Sequence, residues 1–287
     1  MERKRAAFRG TWYPETKKEC ESKVRKYLKD DKGIIKGDFS GCIVPHAGWY
    51  FSGSIACRTI ASLNQNRDID AVAVSGLHMH GSDSPLLLGS GLWETPFGDI
   101  DIHEELGSSI IAHAGAEGIK IIRESTQTFP EENTIELQLP FIKYFFKNTP
   151  IVPLGVPPGR AAIKTGIAVF NAAKDLKLNI AVIGSTDLTH YGQSFGFTPV
   201  GGGKKAYEWV KNENDADAVK ALIAMDADQI IKTSTLNHNM CCSGAAAATV
   251  TICKELGLTQ GVKVEYASSY NRSPGDSFVG YTGILFQ

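Results

Sequence analysis

The sequence carries no excess of charge of either sign: 30 lysines and arginines stand against 31 aspartates and glutamates, a formal net charge of −1. Without a basic surplus there is no electrostatic footprint for nucleic acid, and none is expected as a partner. Long apolar runs are lacking too. The longest uncharged, mostly apolar stretch is Met240 to Cys253. As a helix it would reach about 21 Å, short of a hydrocarbon core of about 30 Å, so no membrane span is expected. Met1-Glu2-Arg3-Lys4-Arg5 is charged, and the chain reaches Trp12-Tyr13 without the apolar core of a signal peptide. Cysteine is scarce. Six residues (Cys20, Cys42, Cys57, Cys241, Cys242, Cys253) in a chain of 287 are too few for a disulfide scaffold. The expectation is reduced thiols in a cytoplasmic protein. What the chain does hold is 43% hydrophobic residues, enough for a sizeable core.

Those residues fall in two alternating patterns. Cys20, Val24, Tyr27 and Leu28 recur at helical spacing among charges, predicting an amphipathic helix over Pro14 to Asp31. Short, continuously apolar runs read as buried strands: Gly41 to Pro45, Asp70 to Val74, Ile151 to Leu154 and Ile180 to Ile183. Helical patterns lie at Thr134 to Phe146 and Ala161 to Asp175, Val262 to Tyr266 alternates, and Val279 to Phe286 closes the chain as a strand. Strands alternating with helices predict an α/β fold: a central, largely parallel or mixed sheet covered by helices on both faces. No repeat, low-complexity tract or linker divides the chain, so residues 1–287 read as one domain. Val200-Gly201-Gly202-Gly203-Lys204-Lys205 lacks the spacing of a phosphate-binding loop and reads as a plain loop.

In such sheets, binding crevices open beyond the carboxyl ends of the strands. His46 follows the Ile43-Val44-Pro45 run, His78 and His80 follow Val72-Ala73-Val74, and His190 lies seven residues beyond Ile183. Imidazole is both a metal ligand and a neutral-pH base, so three strand ends carrying histidine point to chemistry rather than packing. Cys241-Cys242 precedes the small-residue run Ser243 to Ala248, which reads as a helix packed closely on something. A thiol at its start is poised for thiolate character, as ligand or nucleophile. Asp187 and His190 are three apart, a spacing that on a helical turn puts a carboxylate beside an imidazole. The competing reading is a capped helix with a solvated histidine. Glu131, Glu132 and Glu136 read as charges of one helix, Glu136 being the one expected to face a site. His103, His113 and His238 are expected to be surface or structural. Trp49 and Tyr50 are candidates for the wall of an aromatic pocket, though core packing is the better account of at least one.

Taken together, these stretches resemble the Memo family, related in fold to the class III extradiol dioxygenases (the LigB-like fold). The likeness runs through Gly10-Thr11-Trp12-Tyr13, Pro45-His46-Ala47-Gly48, Thr95-Pro96, Ile135-Glu136-Leu137-Gln138-Leu139-Pro140, Ser185 to Gly192, and Cys241. The resemblance implies a metal site on His46, His78 and Cys241, with Asp187 and His190 completing the centre and His190 as acid/base. There are three departures. Where the family usually has a Gly-Pro-Ser/Asn-His turn, this chain has Ser75-Gly76-Leu77-His78-Met79-His80, so a slip of two residues would make His80 the ligand. Asn133-Thr134 stands where a histidine is often found. Cys242 follows Cys241 where the family tends to show glycine, leaving the choice of thiol open.

Two imidazoles and one anion leave coordination positions free for substrate and dioxygen, and a thiolate softens the set towards copper, zinc or redox-active iron. The leading expectation is a dioxygenase-like oxidoreductase using iron or copper, with zinc as the third choice, on a small phenolic or enolic substrate. The first alternative is a catalytically silent metal-binding or peptide-binding module on the same scaffold. The resemblance implies as possible partners the radical-SAM protein and the third component of the AmmeMemoRadiSam system. The second alternative is a metal-free hydrolase with Cys241 as nucleophile and His190 as base.

Overall fold

The structure is a computed structural model and describes residues 2–29, 33–63 and 68–287. The chain opens with a two-residue strand β1 (Arg3–Lys4), then helix α1 (Lys17–Leu28), β2 (Gly41–Val44), α2 (Gly53–Leu63) and β3 (Ala71–Gly76). Short strands follow, β4 (Leu86–Leu88), β5 (Leu92–Trp93) and β6 (Ile100–Asp101), then α3 (Glu104–Ala116) and β7 (Ile122–Glu124). Next come α4 (Asn133–Glu136), α5 (Leu139–Phe146), β8 (Ile151–Gly155), α6 (Arg160–Asp175), β9 (Ile180–Ser185) and β10 (His190–Tyr191). The last third holds α7 (Gly203–Trp209), α8 (Asp215–Ile223), α9 (Ala227–Asn237), α10 (Ser243–Glu255), β11 (Gly261–Ser268) and β12 (Phe278–Phe286).

Nine strands form one mixed sheet in the order β10-β12-β2-β9-β3-β8-β4-β7, with β11 also paired to β12. The four central strands, β2, β9, β3 and β8, run parallel, as continuous apolar runs require. Their pleat sends alternate residues to opposite faces. Ala71, Ala73, Ile180 and Val182 enter one core with α3, α6, α8, α9 and α10. Val72, Val74, Ala181 and Ile183 enter a second core with α1, α2 and α5. The sequence expectation of a helix-covered mixed sheet is thus met, and all four buried strand runs are found. No helix among the described residues is long and apolar enough to cross a membrane.

Three expectations need adjusting. The first helix ends at Leu28, capped at Lys29, and its expected end at Asp31 lies outside the described residues. The helix expected over Thr134 to Phe146 is two, α4 and α5, because Pro140 in the first turn of α5 has no N–H to continue a helix from upstream. Gly203 is the first residue of α7 rather than part of a loop.

The small-residue run that begins α10 is explained by contact. Ala245 to Ala248 are buried, and a Cβ on Gly244 would stand 2.3 Å from the Val156 carbonyl oxygen. On the partner helix, a Cβ on Gly166 of α6 would meet the Thr251 Cβ at 2.7 Å. The α10 start therefore sits directly against the loop after β8, and that fixes where Cys241 and Cys242 can be. Gly244→Ala is expected to destabilise the fold by about 1–3 kcal/mol through overpacking. Gly115→Ala, in α3 with no atom within 4 Å of the new Cβ, is expected to be neutral or stabilising. Urea midpoints of the two purified variants check the contrast.

Candidate metal centre

The centre lies at the carboxyl ends of β2, β3 and β9, where the parallel strands release their chains. Val44 ends β2 and Pro45 leads into His46; β9 ends at Ser185, followed by Thr186 and Asp187. Asp187 ties these segments together. Its Oδ1 accepts the His46 N–H at 2.8 Å, its N–H donates to Cys241 Sγ at 3.3 Å, and its carbonyl accepts the Cys241 N–H at 3.2 Å. The next N–H, of Cys242, donates to Thr186 Oγ1 at 3.1 Å. Behind His46, Nδ1 sits 3.1 Å from Ser185 Oγ, which itself donates to the Thr134 carbonyl at 2.7 Å. With Ser185 Oγ donating to that carbonyl, it accepts from Nδ1–H, which leaves Nε2 as the free lone pair. That Nε2 lies 3.2 Å from Cys241 Sγ.

His78 arrives from β3 through Leu77, a non-glycine residue at φ 70°, whose N–H donates to Thr134 Oγ1 at 2.8 Å. Its ring stands edge-on to that of His46, centroids 5.1 Å apart. Its Nδ1 is 2.5 Å from Glu132 Oε1, a carboxylate that also caps the N-terminus of α4. One donor atom each from His46, His78, Cys241 and Cys242 falls within 4.8 Å of all the others. Of the pair left open by sequence, His78 is the one brought in. His80 instead bonds locally to Ser82 and Asp83. Of the adjacent thiols, both are present.

Asp187 and His190 do meet, though not on a helical turn. Residues 186–189 are irregular and His190 begins β10, so neither the helical pairing nor a capped helix is found there. Asp187 Oδ2 is 3.9 Å from His190 Nε2, too long for a hydrogen bond, and that Nε2 is buried without a partner. Glu136 does not face the centre. It is buried on the far side of α4, where it accepts the Ala7 and Phe8 N–H groups at 2.9 and 2.7 Å and the Tyr13 hydroxyl at 3.0 Å. Burial holds its pKa above the usual carboxylate range despite those donors. The glutamate at the site is Glu132, which stands outside the four-residue helix as its cap. Trp49 packs flat on Phe141 in the core, with its Nε1–H donating to the Leu137 carbonyl, and Tyr50 is 64% exposed against Arg272. Neither walls the site.

A cleft of about 330 Å³ opens beside Cys241 and His190, lined by Phe195, Phe197, Ser234, His238 and Met240. Its aromatic wall comes from the segment after β10, a single 3-10 turn over Gln193–Phe195 and the residues just beyond it, too short for periodicity to flag. His103 and His113 are structural as expected, capping α3 and facing Asp175. His238 ends α9 at φ 51° but also lines the cleft.

The electrostatics favour a cation. Burial opposes ionisation of Cys241, yet the Cys242 thiol and the His46 and His190 imidazoles outweigh it and hold its pKa well below the usual range. Hydrogen bonding to Cys241 and Glu132 pushes His78 up to about 10. Burial works against a charge on His190, but Asp187 and Cys241 prevail and raise it to about 10. Imidazoles drawn this strongly towards their cationic form mark a point that attracts positive charge. Together with the donor chemistry and the orphaned His190 nitrogen, this fits a transition-metal ion.

The family model described as Memo-like protein matches residues 4–285. The chain belongs to the Memo family. It is similar over nearly its full length to several MEMO1 family proteins of archaea. With that of Pyrococcus furiosus it shares 28% identity over 295 residues, covering 99% of both chains. With those of Thermococcus onnurineus and Methanopyrus kandleri it shares 28% identity, covering 98% of each chain.

Beneath the centre, Asp215 was missed by sequence reading because it is one of three carboxylates, with Glu213 and Asp217, in a polar run that reads as a solvated helix face. It is fully buried, accepting from the Thr189 N–H at 3.0 Å, the Thr189 hydroxyl at 2.5 Å and the Tyr266 hydroxyl at 2.8 Å. Burial raises its pKa to about 7. A carboxyl raised on folding binds more protons folded than unfolded, so its stabilising contribution is full below about pH 4 and declines to about pH 7. Asp215→Asn is therefore expected to flatten that part of the curve of melting temperature against pH. Glu132→Gln is expected to weaken metal binding by about 10–100-fold, measured by chelator competition, while Glu136→Gln leaves that affinity unchanged.

Proposed function

We propose that the protein is a metal-dependent oxidoreductase of the dioxygenase-like kind. In this reading it holds copper or iron on His46, His78 and Cys241, and a small phenolic or enolic substrate in the neighbouring cleft. The observation that carries this reading is the convergence of those three donors, from segments far apart in sequence, at the edge of a cleft that His190 also lines. When bound, the ion supplies electron transfer and Lewis acidity to substrate and dioxygen.

The protein's own residues do the rest. His190, with its pKa raised to about 10, is a proton donor at neutral pH, and Nε2 has no protein partner to release first. Asp187, 3.9 Å away, stabilises the imidazolium before transfer, and the ring takes its next proton from solvent. Phe195, Phe197 and Met240 offer apolar and polarisable faces to a planar ring, and their burial of it lowers the water content around the reacting atoms. Ser185 and Glu132 fix the His46 and His78 rings so that each presents its other nitrogen.

Elemental analysis of protein purified without chelator is expected to find one ion per chain. His46→Ala, His78→Ala and Cys241→Ala should lose it, and His80→Ala should keep it. His190→Ala should retain the metal but lose oxygen uptake on the responsive phenol by about 10²–10⁴-fold. Absence of bound metal after anaerobic reconstitution, with Cys241 labelled by iodoacetamide equally with and without added ions, would overturn the reading in favour of a thiol hydrolase. Tight metal with no oxygen uptake on any phenol or thiol would leave a binding module instead.

A further inference from the structure

We propose that Cys242 is a fourth ligand, giving this chain a two-histidine, two-sulfur metal site that prefers a thiophilic ion, zinc or copper(I), over iron(II). The proposal rests on the reading that an ion sits on His46, His78 and Cys241, and extends it to a residue where the resemblance leads one to expect glycine. A filled fourth position leaves no room for dioxygen on the ion, so of the outcomes above it favours the metal-binding module.

Adjacent side chains on extended backbone point to opposite sides. These two do not. Cys242 is the N-cap of α10 at φ −125°, ψ 53°, and the bend is imposed from outside. Asp187 takes the Cys241 N–H at 3.2 Å and Thr186 takes the Cys242 N–H at 3.1 Å, turning both residues over the end of β9. The result is an Sγ–Sγ separation of 3.8 Å. Two sulfurs bound to one tetrahedral ion at about 2.3 Å each stand about 3.8 Å apart, so the pair already has the spacing of one edge of such a site. His46 Nε2, 3.2 Å from Cys241 Sγ, lies near a second edge, and the His78 donor falls within 4.8 Å of the other three.

A cysteine placed only for packing would direct its sulfur among apolar side chains, as Cys42, Cys57 and Cys253 do in the two cores. Cys242 is equally buried, at 2% exposure, yet its sulfur faces another sulfur and two imidazoles. Two soft donors with two imidazoles form the set that tetrahedral d¹⁰ ions favour, while iron(II) gains less from a second sulfur. On binding, whatever protons the two sulfurs and the ligating imidazole nitrogens carry pass to solvent and each donor keeps its electron pair, so no oxidant is needed.

Cobalt(II) titration of the reduced full-length protein under anaerobic conditions reads the sulfur count directly. The sulfur-to-cobalt charge-transfer band of the wild type is expected to be about twice as intense as that of Cys242→Gly, two bonds against one. Zinc affinity, by competition with a chromophoric chelator, should fall about tenfold or more in Cys242→Gly while iron(II) affinity changes little. Equal band intensity in wild type, Cys242→Gly and Cys242→Ser would overturn the proposal and leave the three-ligand site standing. Failure of the wild type to bind cobalt or zinc at all would overturn the parent reading with it. If glycine unfolds the α10 start, Cys242→Ser keeps the comparison decisive, because its hydroxyl fills the space without supplying sulfur.

Discussion

One aspartate holds the centre together. Asp187 uses its carboxylate on the His46 backbone and its own backbone N–H and carbonyl on Cys241, so three chain segments meet through a single residue. The sheet brings the ends of β2 and β9 side by side in register, Val44 against Ser185, but register alone leaves the following loops free. The hydrogen bonds of Asp187 remove that freedom. Its burial makes them stronger than they would be in water and makes any unmade one costly.

Seen this way, the centre is a ring of negative character around a small volume. Asp187, Glu132 and Cys241 face His46, His78 and His190, and every imidazole is pulled towards its charged form. Such an arrangement is poorly stable as neutral groups. It is stabilised either by protons on the rings or by a cation among them, and the two compete. That competition links the acid/base capacity of His190 to the occupancy of its neighbours, because Cys241 influences both.

Much of this architecture could be read from residue order, and the parts that could not share a cause. Buried parallel strands announce themselves as apolar runs, and His46, His78 and His190 stand just beyond them, while Cys241 and Asp187 are picked out by a helix start and a spacing. The grouping of His46, His78 and Cys241 comes from the family resemblance. Packing contacts that act through shape could not be read this way. Whether His78 or His80 turned inward depended on Leu77 adopting φ 70° under the grip of Thr134, which no spacing rule conveys. Glu132 and Glu136 looked alike as helical charges, and only the break before Pro140 and the cap of a four-residue helix sent one to the candidate centre and the other away from it. The cleft wall of Phe195 and Phe197 comes from a single 3-10 turn and the residue beyond its cap, too short for periodicity to register.

The clasp on Glu136 has a consequence for how the chain must assemble. The residues it grips, Ala7, Phe8 and Tyr13, lie more than a hundred positions earlier, with separations of 129, 128 and 123. The segment that carries Ala7, Phe8 and Tyr13 therefore lacks this clasp until α4 has formed. Closing it is a long-range contact of the kind that slows folding.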